Sequence, residues 1–133
     1  MTKTIGIESI GAYIPEERHT AEYISKHSGT PVEILHTKMG LKSKSVPGPD
    51  DHTVAMGVKA AKQAIERAKI DPKDIDLVIW AGEVYAERPM QTYGIKFQGD
   101  IGATNAWAFD VNQRCGTIVV AMVLAKSLME TQG

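Results

Sequence analysis

A single cysteine, Cys115, is the residue of this chain whose neighbours best set up covalent chemistry. It stands in Trp-Ala-Phe-Asp-Val-Asn-Gln-Arg-Cys-Gly, residues 107–116, between two unlike apolar runs. Residues 106–111 are short, aromatic and β-branched, and a polar residue closes them, which reads as a buried strand. Asn112, Gln113 and Arg114 read as a tight turn. From Gly116 onward the sequence is apolar nearly all round until Lys126, the pattern of a helix buried on every side. A thiol at such a strand-to-helix elbow lies near the positive end of the helix dipole, which favours the nucleophilic thiolate. Lone cysteines also serve as small buried hydrophobes, so spacing alone leaves both roles open.

Other residues suited to chemistry are fewer. Glu83 is the second residue of the loop 82–89, just past the carboxyl end of a strand expected at 75–81. Ligands of open α/β sheets gather at such ends, although the position also fits an exposed loop carboxylate. Lys38, Lys42 and Lys44 lie in or beside the polar stretch 41–49, read as a surface loop. They form either a solvated face or a rim that contacts phosphate. His19, His27, His36 and His52 are scattered, with no ligand partner at i+4 or in a paired spacing, so no metal site is expected.

The elements that position these residues follow from periodicity. Residues 4–14 alternate Ile5, Ile7 and Ile10 with small or polar residues up to Pro15, and read as a first strand in which Gly6 and Gly11 permit close packing or a bulge. Residues 19–28 read as a short helix capped by Thr20, with Tyr23 and Ile24 inward and Gly29 as its stop. Pro31 opens a second short helix that Gly40 stops. Val54, Val58, Ala61, Ile65 and Ala68 recur at helical spacing, with Lys59, Lys62, Glu66 and Arg67 on the opposite face. Asp-Pro-Lys-Asp then makes a turn into a strand at 75–81, buried on both faces by its end. Residues 91–100 read as a helix interrupted by Gly94. Alternation of helices and strands points to an α/β layer fold.

Composition narrows the function classes. The 133 residues carry 15 basic and 16 acidic side chains, interspersed, for a net charge of −1. No basic face calls for nucleic acid. One cysteine excludes an internal disulfide framework and a cysteine-based zinc site. The run 118–125 is too short to span a bilayer and no signal peptide is recognisable, so no membrane partner is expected and the location expected is cytoplasmic.

Four segments, taken in order, resemble the N-terminal half of the thiolase superfamily, and in particular β-ketoacyl-acyl-carrier-protein synthase III. They are Ile-Gly-Ile-Glu-Ser-Ile-Gly-Ala-Tyr-Ile-Pro, the Val-Glu-Ile-Leu-His-Thr-Lys-Met-Gly-Leu-Lys stretch, the run from Met56 to Ala81 with its Ile-Asp-Pro turn, and Ala-Phe-Asp-Val followed four residues later by cysteine. The resemblance implies a layered α/β/α half with a mixed sheet, incomplete in residues 1–133, and a C-terminal half that lies elsewhere. It places the family's acyl-accepting cysteine at Cys115. An acyl thioester would acylate that thiol, and a malonyl-acyl-carrier-protein carbanion would then attack the acyl group in a Claisen condensation, the step that initiates fatty-acid synthesis. Coenzyme A and acyl-carrier-protein thioesters are then substrates, and no bound cofactor is called for.

The resemblance also marks departures. Asn112, Gln113 and Arg114 stand where the family is usually rich in alanine, and Ile34 replaces a tryptophan that stacks on the adenine of coenzyme A. Lys38 and Lys42 fall where the family has arginines at the pantetheine-phosphate entrance. Arg88, Met90 and Gln91 fall where the family lines the acyl pocket across a dimer interface. Glu83 replaces a threonine or serine. Hydroxymethylglutaryl-CoA synthases of the same superfamily carry a general acid/base glutamate there, which implies a second condensing chemistry. The catalytic histidine and its asparagine or histidine partner belong to the family's C-terminal half. The 133 residues are therefore expected to be a piece of a longer protein, inert alone, or a non-catalytic half-domain that assembles with a partner. Missing strands are expected to lie between those present, and homodimerisation is expected through the unpaired strand 106–111.

Overall fold

The structure, a computed structural model, describes residues 4–82 and 89–132. They gather into two compact units, one of residues 13–56 and the other of residues 4–12, 57–82 and 89–132.

In the unit of residues 13–56, β1 (Arg18–Thr20), α1 (Ala21–Ser28), α2 (Val32–Thr37) and β2 (Ser43–Ser45) follow one another. Thr20 caps α1, its Oγ1 accepting from the Tyr23 N–H at 3.2 Å. Gly29 ends α1 in the left-handed conformation, at φ 74°. The expected inward Tyr23 is instead exposed, and its ring lies between the imidazoles of His19 and His27, each centroid 4.0 Å away. A helix this short buries only a narrow stripe, and Ala21 with the half-buried Ile24 takes it. Just ahead of Tyr23, the Glu22 carboxyl is held below the ordinary carboxylate range by a hydrogen bond with its own backbone, then by the Thr20 hydroxyl, with His36 adding attraction from 3.8 Å. The stretch expected to be wholly loop contains β2, which pairs antiparallel with β1, Arg18 opposite Ser45 and Thr20 opposite Ser43. A three-residue strand whose partner is distant in sequence leaves no periodicity to read.

The other unit is built on α3 (Thr53–Ala68, from Gly57 onward), β3 (Leu77–Ala81), α4 (Tyr93–Ile101), β4 (Trp107–Val111) and α5 (Thr117–Gln132). A single 3₁₀ turn at Pro72–Asp74 leads into β3, with Asp71 capping the Lys73 N–H at 2.9 Å. β3 and β4 pair directly and in parallel, from Leu77 opposite Trp107 to Ala81 opposite Val111. No strand lies between them, which corrects the expected order; the other edge of β4 has no strand partner among the described residues.

Alternation along β3 makes the layers. Val78 and Trp80 face α3 and α4. Val78 joins Ile101, Ala103 and Ala106 in the core, with Val58, Ala61 and Ile65 of α3 packed against them. Trp80 lies against Tyr93 and Phe97, at centroid distances of 5.7 and 5.3 Å, and covers Gly57, where a Cβ would come within 2.9 Å of the indole. Leu77, Ile79 and Ala81 face α5 across a cleft of about 490 Å³ lined also by Ile118, Ala121 and Met122. The unit is thus an α/β/α sandwich around a parallel pair, the layered half the resemblance implies.

Three expectations need correcting here. Residues 4–14 form no strand; among the described residues no strand pairs with them, and residues 4–12 bond instead to α3, through Ser9 Oγ to the Ala64 carbonyl (2.7 Å), the Ala12 N–H to Gln63 Oε1 (3.0 Å) and Arg67 Nη1 to the Ile10 carbonyl (2.6 Å). Neither run around Cys115 is fully buried. In α5 only Thr117 and Ala121 are buried, and Trp107 of β4 is half exposed; β3 likewise buries only Val78. The apolar residues of α5 ask for cover on all sides, and among the described residues the strand pair covers one side of them. Finally, Gly94 does not interrupt α4 but sits in its first turn, where a Cβ would lie 3.0 Å from Asp110 Oδ1 and from the Phe109 carbonyl oxygen. Among the described residues, no helix is long and apolar enough to cross a membrane.

Candidate active site

Cys115 sits in a 3₁₀ turn, Arg114–Gly116, between β4 and α5, and is exposed. The turn is made by its polar residues. Asn112 Oδ1 accepts from the Arg114 N–H at 3.2 Å, and the Gly116 N–H donates to the Gln113 carbonyl at 3.2 Å. Arg114 adopts φ 52°, a left-handed conformation that side chains with a Cβ rarely take. Thr117, the one buried polar residue among those described, closes the turn from beneath. Its hydroxyl accepts from the Gln113 N–H (2.8 Å) and donates to the Arg114 carbonyl (2.7 Å). The Gln113 side chain folds over Gly116, where a Cβ would overlap Gln113 Oε1. The elbow expected from spacing is therefore present, with its thiol at the carboxyl end of a parallel strand pair and at the start of a 16-residue helix.

The strand before the elbow is held by a residue that spacing did not single out. Asp110 accepts from the Tyr93 N–H through Oδ2 (2.8 Å) and from the Gly94 N–H through Oδ1 (2.6 Å). It thus serves as the missing N-terminal cap of α4, whose own Thr92 makes no cap hydrogen bond. Sequence carried no signal for this, because Thr92 is itself of a capping type and only the structure shows that it makes no cap bond.

The remaining candidates divide. Glu83 and Arg88 lie outside the described residues. Gly82, the last described residue before Glu83, donates its N–H to the Val111 carbonyl at 3.4 Å, so the chain that leads into Glu83 leaves the sheet at the same end as the chain that leads into Cys115. Lys38 and Lys42 belong to the unit of residues 13–56 and are both exposed between α2 and β2. The Lys38 N–H donates to the Ile34 carbonyl at 3.0 Å, and the Lys42 carbonyl accepts the Ala21 N–H at 3.0 Å, so each backbone is fixed while its ammonium stem is free to reach outward. Ile34, in the place of the expected tryptophan, is 44% exposed. Among the described residues, no group of three or more His, Cys, Asp or Glu could hold a metal ion.

No protein-family model matches the chain. In sequence it is similar to the β-ketoacyl-[acyl-carrier-protein] synthase III of Clostridioides difficile (strain 630), 32% identical over 131 residues, which is 98% of this chain and 40% of that protein. The chain thus spans about two fifths of the length of the curated relatives it matches. In structure it is similar to the priming β-ketosynthase from the R1128 polyketide biosynthetic pathway, with a TM-score of 0.86 and 26% identity over 96% of this chain and 38% of that one. It is also similar to MvaS, solved with 3-hydroxy-3-methylglutaryl coenzyme A, with a TM-score of 0.84 over 97% of this chain and 31% of that one. At 20% identity this last likeness is one of fold alone. In sequence and in fold, the chain matches the N-terminal part of the synthase III-like condensing enzymes of the thiolase superfamily.

Proposed function

We propose that these residues form the nucleophile-bearing part of an acyltransferase of the condensing type, with Cys115 as the acyl acceptor. The observation that carries this reading is the exposed thiol at a built strand-to-helix elbow, in a chain that matches synthase III over nearly all its length. The Cys115 thiolate attacks the carbonyl of an acyl thioester, the acyl–sulfur bond forms, and the donor leaves as a thiolate. A malonyl-acyl-carrier-protein then loses carbon dioxide, its carbanion attacks the acyl carbonyl, and Cys115 departs as thiolate from the new β-ketoacyl thioester. Lys38 and Lys42 contact the phosphates of the donor or carrier, and Arg88 lines the acyl pocket across the dimer interface. Coenzyme A and acyl-carrier protein are substrates and partners, the compartment is the cytoplasm, and two copies pair through the free edge of β4. The histidine and asparagine that drive condensation come from residues outside this chain, so the 133 residues alone do not complete the cycle.

A second reading gives Glu83 the role of general acid/base in a hydroxymethylglutaryl-CoA-synthase-like condensation. It is supported by the Gly82–Val111 hydrogen bond, which brings the strand leading to Glu83 and the strand leading to Cys115 to a common end.

Intact-mass spectrometry of the full-length protein after incubation with acyl-CoAs of several lengths tests the first reading. A gain of one acyl group, lost in Cys115→Ser, is expected. No adduct from any donor defeats the assignment of Cys115. Glu83→Ala separates the two chemistries: condensation with malonyl thioesters at an undiminished rate removes Glu83 from the mechanism.

A further inference from the structure

We infer that the Thr117 hydroxyl is a positioning residue for Cys115, a role that rests on the reading of Cys115 as acyl acceptor. A residue with a Cβ held at positive φ needs its surroundings to over-determine it, and such strain concentrates at functional turns. Arg114 is in that state at φ 52°, immediately before the thiol. The groups that hold it are identifiable. Its N–H is tied to Asn112 Oδ1, and its carbonyl is tied to Thr117 Oγ1, which also accepts from the Gln113 N–H. One buried hydroxyl therefore bonds the peptide groups on both sides of the Gln113–Arg114 link, from the first residue of the helix that follows the nucleophile. Buried hydroxyls are retained where both their hydrogen-bonding capacities are used, as here. Without the hydroxyl, two backbone groups beneath Cys115 lose their partner, and Arg114 relaxes toward ordinary negative φ. The thiol then leaves the direction that the elbow sets for it.

Thr117→Val keeps the buried shape and removes the hydroxyl, and Thr117→Ser restores it. In the full-length protein, single-turnover acylation by acetyl-CoA is expected to slow about tenfold in Thr117→Val, because small misplacements of a reacting group are costly. The apparent KM for acetyl-CoA and the rate of alkylation by iodoacetamide, which needs only an exposed thiol, are expected to change less than twofold. Thr117→Ser is expected within twofold of wild type in every measurement. Wild-type acylation in Thr117→Val, or equal slowing in Thr117→Ser, overturns the role. So does a parallel loss of alkylation, which indicates general disruption. Should wild type take no acyl group, the reading of Cys115 falls, and the clamp is decided separately by the Arg114 backbone coupling constant in solution. Positive φ retained in Thr117→Val, or in Thr117→Ala if the valine variant does not fold, overturns it; a shift to negative φ upholds it.

Discussion

At the scale of single residues, the most consequential side chain outside the turn is Asp110. Both of its oxygens are committed to N–H groups in the first turn of α4, at 2.8 and 2.6 Å, so it links the strand that carries the elbow to a helix on the other face of the sheet. Asparagine at this position offers one acceptor oxygen and turns an amide donor toward the second N–H. Asp110→Asn is therefore expected to cost about 1–2 kcal/mol, through one lost charge-assisted bond and one unsatisfied donor. A urea titration followed by far-UV circular dichroism measures it, and an unchanged midpoint contradicts the linkage. Residues of this kind are hard to read in sequence. The elbow at Cys115 was legible because it depends on local order: a strand, a polar turn and an apolar helix in succession. Asp110 and Thr117 act on groups whose approach the tertiary fold decides, and neither differs in type from an ordinary polar residue of a strand or helix start.

At the scale of elements, what was legible is what repeats. α3 has its apolar stripe where the spacing of Val54, Val58, Ala61 and Ile65 puts it, and β3, β4 and α5 stand close to where their runs placed them. Residues 4–14 show the limit, since alternation marks an extended chain but does not supply its hydrogen-bonding partner. Here the partner is α3, and Gly11 is the point of closest approach. A Cβ there would overlap the Ala60 carbonyl oxygen and lie 2.8 Å from the Ala64 N, both backbone atoms that cannot turn aside. Gly11→Ala is accordingly expected to lift residues 4–12 off the helix and to destabilise the fold by about 2 kcal/mol, the scale of an overpacked core site. The three bonds made by Ser9, Ala12 and Arg67 go with it. Limited proteolysis reads the outcome directly: the variant is expected to be cut within residues 4–12 faster than wild type. Gly6, where a Cβ would meet nothing within 4 Å, is the internal control, and Gly6→Ala should leave the cleavage pattern unchanged.

At the scale of the molecule, the governing mismatch lies between the composition of α5 and the cover it receives. Its sequence is that of a helix inside a core, yet Ile118, Val119 and Val123 are each about three fifths exposed, with Met122 and Met129 beside them. A contiguous apolar surface of this kind drives association unless it is covered. The 133-residue chain on its own is therefore expected to sediment as a concentration-dependent mixture at tens of micromolar and to enhance the fluorescence of an apolar dye. Val119→Glu with Val123→Lys places an opposite-charge pair at i,i+4 on the same face, so helix content is conserved while the apolar surface is interrupted. Removing two half-buried contacts from an association is worth on the order of 2 kcal/mol, which weakens self-association at least about tenfold. Equal sedimentation of the two forms across the concentration range would mean that α5 takes no part in the contact. Alkylation of the exposed Cys115 thiol by iodoacetamide separates this surface from the elbow. The substituted residues lie beyond the turn that Thr117 closes, so a change in association with an unchanged alkylation rate assigns the two properties to different parts of one helix.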